Sequence, residues 1–169
     1  VSYSDQGKIV PLLAERIDVS ADGKRYVFPI RRGVTFHDGT ELTAADVKRS
    51  IERALHVKTP CPVPSYYERI VGYGPYHDGK VEDLSGVKLE GDYQLAIELS
   101  EPDATFLHIM ALPIVAPVCK SAGKVWERTF AANPCGAGPF KVTRYENGQI
   151  IKMVRHEGYW DKGKPYLDG

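Results

Sequence analysis

Residues 24–55, KRYVFPIRRGVTFHDGTELTAADVKRSIERAL, read as a strand, a tight turn and a helix in quick succession. Tyr26, Phe28 and Ile30 alternate with Val27, Pro29 and Arg31, the period of two expected of a strand with one buried face. Pro29 has no N–H for a ladder, which predicts an edge strand or a bulge at that point. Asp38-Gly39 supplies a turn, since glycine accepts positive φ and aspartate can bond its own backbone. Thr43 is then a good N-cap, with Asp46 three residues on completing a weak capping box. Val47, Ile51, Ala54 and Leu55 make one apolar helical stripe. Lys48, Arg49, Glu52 and Arg53 are expected mainly on the wet face.

Working outward, Ile9 to Val19 is irregular to extended, and 21–24 (ADGK) turns into the first strong strand. Beyond His56 comes a stretch rich in Pro, Gly and Tyr. Within it Ser65 and Glu68 suggest a capping box and a short helix over Ser65–Val71, stopped at Gly72. The rest, including Gly74-Pro75 and Asp78-Gly79, reads as loop. Val87–Glu90 and Gln94–Leu99 form a hairpin through Gly91-Asp92. Asp103 can cap a helix over Ala104–Leu112, with Phe106, Leu107 and Met110 inward. Ile114-Val115-Ala116 reads as a short buried strand, and Val125–Ala132 as a helix carrying Trp126 and Phe130. Finally, 140–145 and 149–155 flank Asn147-Gly148, a strong hairpin signal that predicts a type I′ turn. Sequential hairpins with scattered helices favour an α+β fold over a doubly wound sheet.

Composition narrows the function classes. The chain has 169 residues, 22 basic and 22 acidic, without the basic excess of a nucleic-acid binder. That length can bury roughly two thirds of its unfolded surface in one core. No run of about 18 apolar residues suggests a membrane span. The opening VSYSDQGKIV lacks the basic start and apolar run of a signal peptide. Cys61, Cys119 and Cys135 show no paired spacing of a metal site, so no cofactor or metal is expected. In an oxidising compartment Cys119 and Cys135, the closest in sequence, are the candidate disulfide; three buried unpaired cysteines is the alternative.

The five histidines share no ligand spacing. His37-Asp38 could be an oriented imidazole, but chain neighbours usually point apart and this pair sits in a turn. His108 reads as a packed or surface residue. Gly136-Ala137-Gly138-Pro139 precedes a strand rather than opening a helix, the wrong order for a dinucleotide loop. Its glycines fit a tight entry into the strand at Phe140. Tyr66, Tyr67, Tyr73 and Tyr76 could form an aromatic binding face, though covering a satellite core suits them better. Arg31-Arg32 and Lys48-Arg49 read as solvated charge. No G-x-S-x-G elbow, H-E-x-x-H or phosphate-binding loop occurs.

A series of motifs carries a family resemblance. Arg31-Arg32-Gly33-Val34, Phe36-His37-Asp38-Gly39-Thr40, Leu42-Thr43-Ala44 and Asp46-Val47 resemble the family 5 extracytoplasmic solute-binding proteins of peptide and nickel ABC importers. So do Pro11-Leu12-Leu13-Ala14-Glu15, Gly136-Ala137-Gly138-Pro139-Phe140 (Ala137 replacing the usual Thr), Tyr159-Trp160 and Lys164-Pro165-Tyr166-Leu167-Asp168. The matches follow family order along nearly the whole chain. The resemblance implies a partial lobe of a type II periplasmic-binding-protein-like fold, with a mainly antiparallel or mixed sheet. It places a small subdomain of the first lobe at 1–134 and strands returning to that lobe's main sheet at 135–169, ending at the crossover to a second lobe. It further implies a fragment of a periplasmic or extracellular receptor, secreted or lipid-anchored, that passes a small solute such as a peptide to ABC permease subunits. Leu112, Pro113, Gly136, Ala137 and Gly138 become the ligand-lining candidates. A secreted hydrolase using His37 or Cys135 is the alternative, against which stands the lack of any nucleophile–base signature.

Overall fold

A computed structural model describes residues 1–169, apart from the side chains of Arg128 and Thr129. Strands β1 (Ser2–Tyr3) and β2 (Ile9–Val10) pair with each other and lead into β3 (Asp18–Val19) and β4 (Arg25–Pro29). Helix α1 (Ala44–Leu55) follows, then a 3-10 turn at Pro64–Tyr67 and helix α2 (Tyr73–His77). Strands β5 (Val87–Leu89) and β6 (Gln94–Glu98) precede helix α3 (Phe106–Met110), 3-10 turns at Pro113–Val115 and Lys120–Ala122, and helix α4 (Arg128–Ala132). Strands β7 (Phe140–Glu146) and β8 (Ile150–Arg155) close the described chain as a hairpin.

The central sheet is antiparallel, in the order β3-β4-β6-β5, and α1 packs over β5 and β6. Phe28, Leu95 and Ile97 from the sheet meet Ile51 and Leu55 from the helix in one core. Full burial of such side chains stabilises by roughly 1.5–3 kcal/mol each before entropy is counted. At the start of α1, Thr43 donates to Asp46 Oδ2 from its N–H (3.1 Å) and from Oγ1 (2.8 Å). Pro29 lies in an interior strand, correcting the edge expectation. It is the last residue of β4, opposite Gln94, so its missing N–H interrupts little of the ladder.

The polar face of α1 departs furthest from expectation. Arg53 is 6% exposed, its Nε donating to the Ala122 carbonyl at 3.2 Å while its guanidinium lies over the Phe130 ring. Arg49 is half-buried and donates to the Val118 carbonyl. Ser50 accepts from the Val118 N–H at 3.0 Å, so the segment after residue 117 covers this side of the helix. A periodicity argument assigns charge to water, but a packed loop with free carbonyls can take up arginine instead. Arg31 is likewise not freely solvated: it donates from Nε to the Leu12 carbonyl and lies over the Trp160 ring.

Several local expectations also shift. Pro64 opens a 3-10 turn in place of the helix expected over Ser65–Val71, and Gly72 at φ 79° precedes α2 where loop was expected. A Cβ on Gly72 would come within 2.3 Å of Ser85 Oγ, so the position also needs the missing side chain. Tyr67, Tyr73 and Tyr76 are buried here, and Tyr76 donates to the Glu52 carbonyl at 2.7 Å; Tyr66 remains exposed. Burial pushes the Tyr73 phenol up to about 12. Ile114-Val115-Ala116 is not a strand, because Pro113 begins a 3-10 turn closed by the Ala116 N–H donating to the Pro113 carbonyl. Helix α3 is shorter than Ala104–Leu112: Asp103 Oδ1 accepts from the Thr105 N–H and hydroxyl, holding that residue outside the helix. Helix α4 starts later than Val125, leaving Trp126 outside it.

In the β7–β8 turn only Gly148 has positive φ, at 71°, and the Gln149 N–H donates to the Glu146 carbonyl at 3.0 Å. Negative then positive φ matches a type II turn rather than the expected type I′. Replacing Gly148 by valine should lower stability by about 1 kcal/mol or more, since αL backbone strains a β-branched residue; an unchanged urea midpoint would contradict the turn geometry. Cys119 and Cys135 are joined, with Cα atoms 5.4 Å apart. Their sequence separation of 16 closes a loop whose cross-link contributes on the order of 3 kcal/mol. The double serine variant should therefore melt well below the oxidised protein, and equal melting temperatures would remove that contribution.

Candidate functional site

Two surfaces collect the residues singled out by sequence. The first is an open cavity of about 260 Å³ between the β4–β6 face, the Leu12–Ala14 segment and the Met110–Pro117 segment. Phe28, Ile30, Val47 and Leu95 form its floor, and Leu112 and Pro113 part of its wall. Leu112 is held extended at φ −69° and ψ 144°, which turns the chain out of α3 before the Pro113 turn. Apart from Ser2 its lining side chains are apolar, and such a surface favours an apolar group over a charged one.

The second surface holds Gly136, Ala137 and Gly138, which do not line that cavity. Val118 bridges Gly136 in antiparallel fashion, and the neighbouring Cys119–Cys135 bond fixes the approach of the two segments. The His37 N–H donates to the Gly136 carbonyl at 2.8 Å, and the Gly136 N–H returns to His37 Nδ1 at 3.3 Å. Since Nδ1 accepts, the ring proton sits on Nε2, which donates to the Gly138 carbonyl at 3.0 Å. His156 Nδ1 donates to the same carbonyl at 3.2 Å, and its ring meets His37 edge-on at 5.1 Å between centroids. Burial lowers the His156 pKa, against the pull of the Gly138 carbonyl, with Lys141 and His37 adding to the lowering. Lys141 Nζ donates to the His37 carbonyl at 3.1 Å.

The hydrolase alternative finds no chemistry here. Asp38 turns from His37 to accept from the Thr40 N–H (3.0 Å) and hydroxyl (2.7 Å), which hold its carboxyl below the usual range. Cys135 is in the disulfide, so it offers no thiolate. Asp38, Cys119 and Cys135 bring ligand-type atoms within 4.8 Å, yet two of the three are sulfurs already bonded to each other. His108 is exposed and meets Tyr3 Oη at 3.0 Å through Nδ1. A further cavity of about 390 Å³ beside the C-terminal end of α1 mixes Arg49, Arg53 and Lys58 with Glu52 and Glu82.

Sequence reasoning missed His156 and Lys141. His156 follows β8 directly, but nothing in its spacing ties it to His37. The Phe36–Thr40 turn and the Gly136–Gly138 entry are both visible as motifs, and their mutual contact is not.

Comparison with known proteins places this geometry. Residues 8–169 match the family described as bacterial extracellular solute-binding proteins, family 5 Middle. The glutathione-binding protein GsiB of Salmonella choleraesuis (strain SC-B67) is 30% identical over 161 residues, 95% of this chain and 29% of that protein. Among solved structures, the PBP AgaA in complex with agropinic acid from A. tumefaciens R10 aligns with TM-score 0.80 and 33% identity, over 99% of this chain and 31% of that one. Listeria monocytogenes OppA bound to peptide aligns with TM-score 0.81 and 25% identity, over 95% of this chain and 33% of that one. The chain thus spans about three tenths of the length of these relatives, and its α+β architecture is that of a partial lobe of their fold. The chain belongs to the bacterial extracellular solute-binding proteins, family 5.

Proposed function

We propose that the chain is the first-lobe segment of an extracytoplasmic receptor that captures a peptide or related small solute and delivers it to the membrane subunits of an ABC importer. The observation that carries this reading is the carbon-lined cavity of about 260 Å³ walled by Leu112 and Pro113, in a chain that belongs to a solute-binding family. Its volume suits one large apolar side chain or a comparable hydrocarbon group of the solute. Gly136–Gly138 would border the same cleft, because Gly136 lies against the Pro117 carbonyl and Pro117 lines the cavity. Binding then consists of burial and backbone hydrogen bonds, without a reaction; a second lobe would close over the solute by hinge motion.

Residues 1–134 would act as a small subdomain, with 135–169 contributing strands to a larger sheet. In support, Tyr145, Ile151 and Met153 form an exposed apolar face on the β7–β8 hairpin, where Tyr145 pairs with Ile151 and Val142 with Met153. The relatives named glutathione-binding, agropinic acid-bound and peptide-bound keep the solute class broad.

Titration calorimetry with trileucine, trilysine and triaspartate tests the apolar site in the full-length receptor. Trileucine is expected to bind most tightly, and Leu112→Asp to weaken it tenfold or more; equal affinities for the three peptides would remove the apolar-site reading. The 169-residue chain alone should bind far more weakly than the full-length receptor. A micromolar complex is worth about 8 kcal/mol, and losing half of its contacts leaves it near millimolar. Low-micromolar binding by this chain alone would instead place a complete site between Val1 and Gly169.

A further inference from the structure

We propose that His37 and His156 are positioning residues that hold the Gly136–Gly138 loop in shape through the lone pair of His37 Nδ1 and a shared bond to the Gly138 carbonyl, so that acid releases the loop and weakens solute capture. The effect on capture rests on the reading above that this loop borders the solute cleft; the clasp itself rests on geometry alone.

The argument begins with which atoms can donate. Gly136 N–H points at His37 Nδ1, so this nitrogen must keep its lone pair. Protonating it would set two N–H groups against each other and leave the Gly136 amide without its acceptor. The other donations, from His37 Nε2 and His156 Nδ1, converge on one carbonyl, that of Gly138. A carbonyl has two lone pairs, and the two ring N–H groups fill them whether or not His156 carries a second proton. Two imidazolium rings in edge contact would repel.

The surrounding charges do not relieve that repulsion. Lys141, from β7, is cationic and bonded to the His37 carbonyl. The carboxylate adjoining His37, Asp38, is engaged by Thr40. Arg155, just before His156, turns its guanidinium to the Leu167 carbonyl and Asp168, while Glu157 just after it is exposed. Burial also resists a proton on His156. For His156, a folded pKa held below the free value of about 6.5 favours the released loop as pH falls through that value. Each proton taken up on release raises the opening constant by at most tenfold per pH unit.

Amide hydrogen exchange of Gly136 in this chain, corrected for the intrinsic pH dependence, tests the clasp between pH 7.5 and 5.0. Protection is expected to fall at least tenfold over that range. His37→Asn presents an oxygen acceptor near the place of Nδ1 without titrating, and His156→Asn keeps an N–H donor near the place of its own Nδ1. The double variant should retain protection at pH 7.5 and lose the pH dependence, whereas His37→Ala should lose protection at every pH. A wild-type profile flat in pH, or a fall that persists in the double Asn variant, would overturn the proposal. If the double variant unfolds, NMR titration of the wild-type rings decides: loop amide shifts that do not follow either ring overturn it. Calorimetry of the full-length receptor with trileucine at pH 6.8 and 5.0 then separates the two readings. Exchange that responds to pH while affinity does not would overturn the effect on capture and the loop's place at the cleft, leaving the clasp standing.

Discussion

Three remote pieces of chain converge where the Phe36–Thr40 turn, the Val118–Cys119 segment and the Cys135–Pro139 segment meet, and the candidate surfaces depend on that junction. One covalent bond and reciprocal backbone–imidazole hydrogen bonds hold it. It anchors the segment from Met110 to Ala132 together with the bonds that Arg49, Ser50 and Arg53 make to it. That segment supplies both the wall of the apolar cavity and the carbonyls that receive Arg49 and Arg53. A loop of such length costs entropy to close, and a cross-link removes much of that cost by restricting the unfolded chain.

The junction explains how so much charge can be buried beside α1. Guanidinium groups stripped of water need acceptors or aromatic faces, and a long covering loop provides both through backbone carbonyls and the Phe130 ring. Among the described residues Arg49 Nε and Nη1 and Arg53 Nη2 find no hydrogen-bond acceptor.

The two candidate surfaces differ in chemistry. The cavity is lined mainly by hydrocarbon side chains, so it can reward apolar burial without specifying orientation. The adjacent loop offers main-chain groups held by two imidazole rings, the Val118 bridge and the neighbouring disulfide. A loop rich in glycine has little conformational preference of its own, and external hydrogen bonds supply the missing restraint.

Much of the architecture follows from local chemistry and was legible in the residues themselves. Thr43 and Asp46 define the start of α1, Ile51 and Leu55 its buried stripe, and the Gly91-Asp92 and Asn147-Gly148 pairs the two hairpins. These depend on neighbours a few residues apart, and the chain carries both partners of each interaction. Family membership was legible for a related reason, since its motifs are themselves short local structures in a particular order. What only the tertiary structure decided involves partners far apart in sequence: the burial of Arg49 and Arg53, the interior place of β4, and the meeting of His37 with His156. Leu112 and Gly136 were visible one by one as candidates; their separation into a carbon-lined cavity and a histidine-held loop comes from how distant segments pack, and no local pattern encodes it.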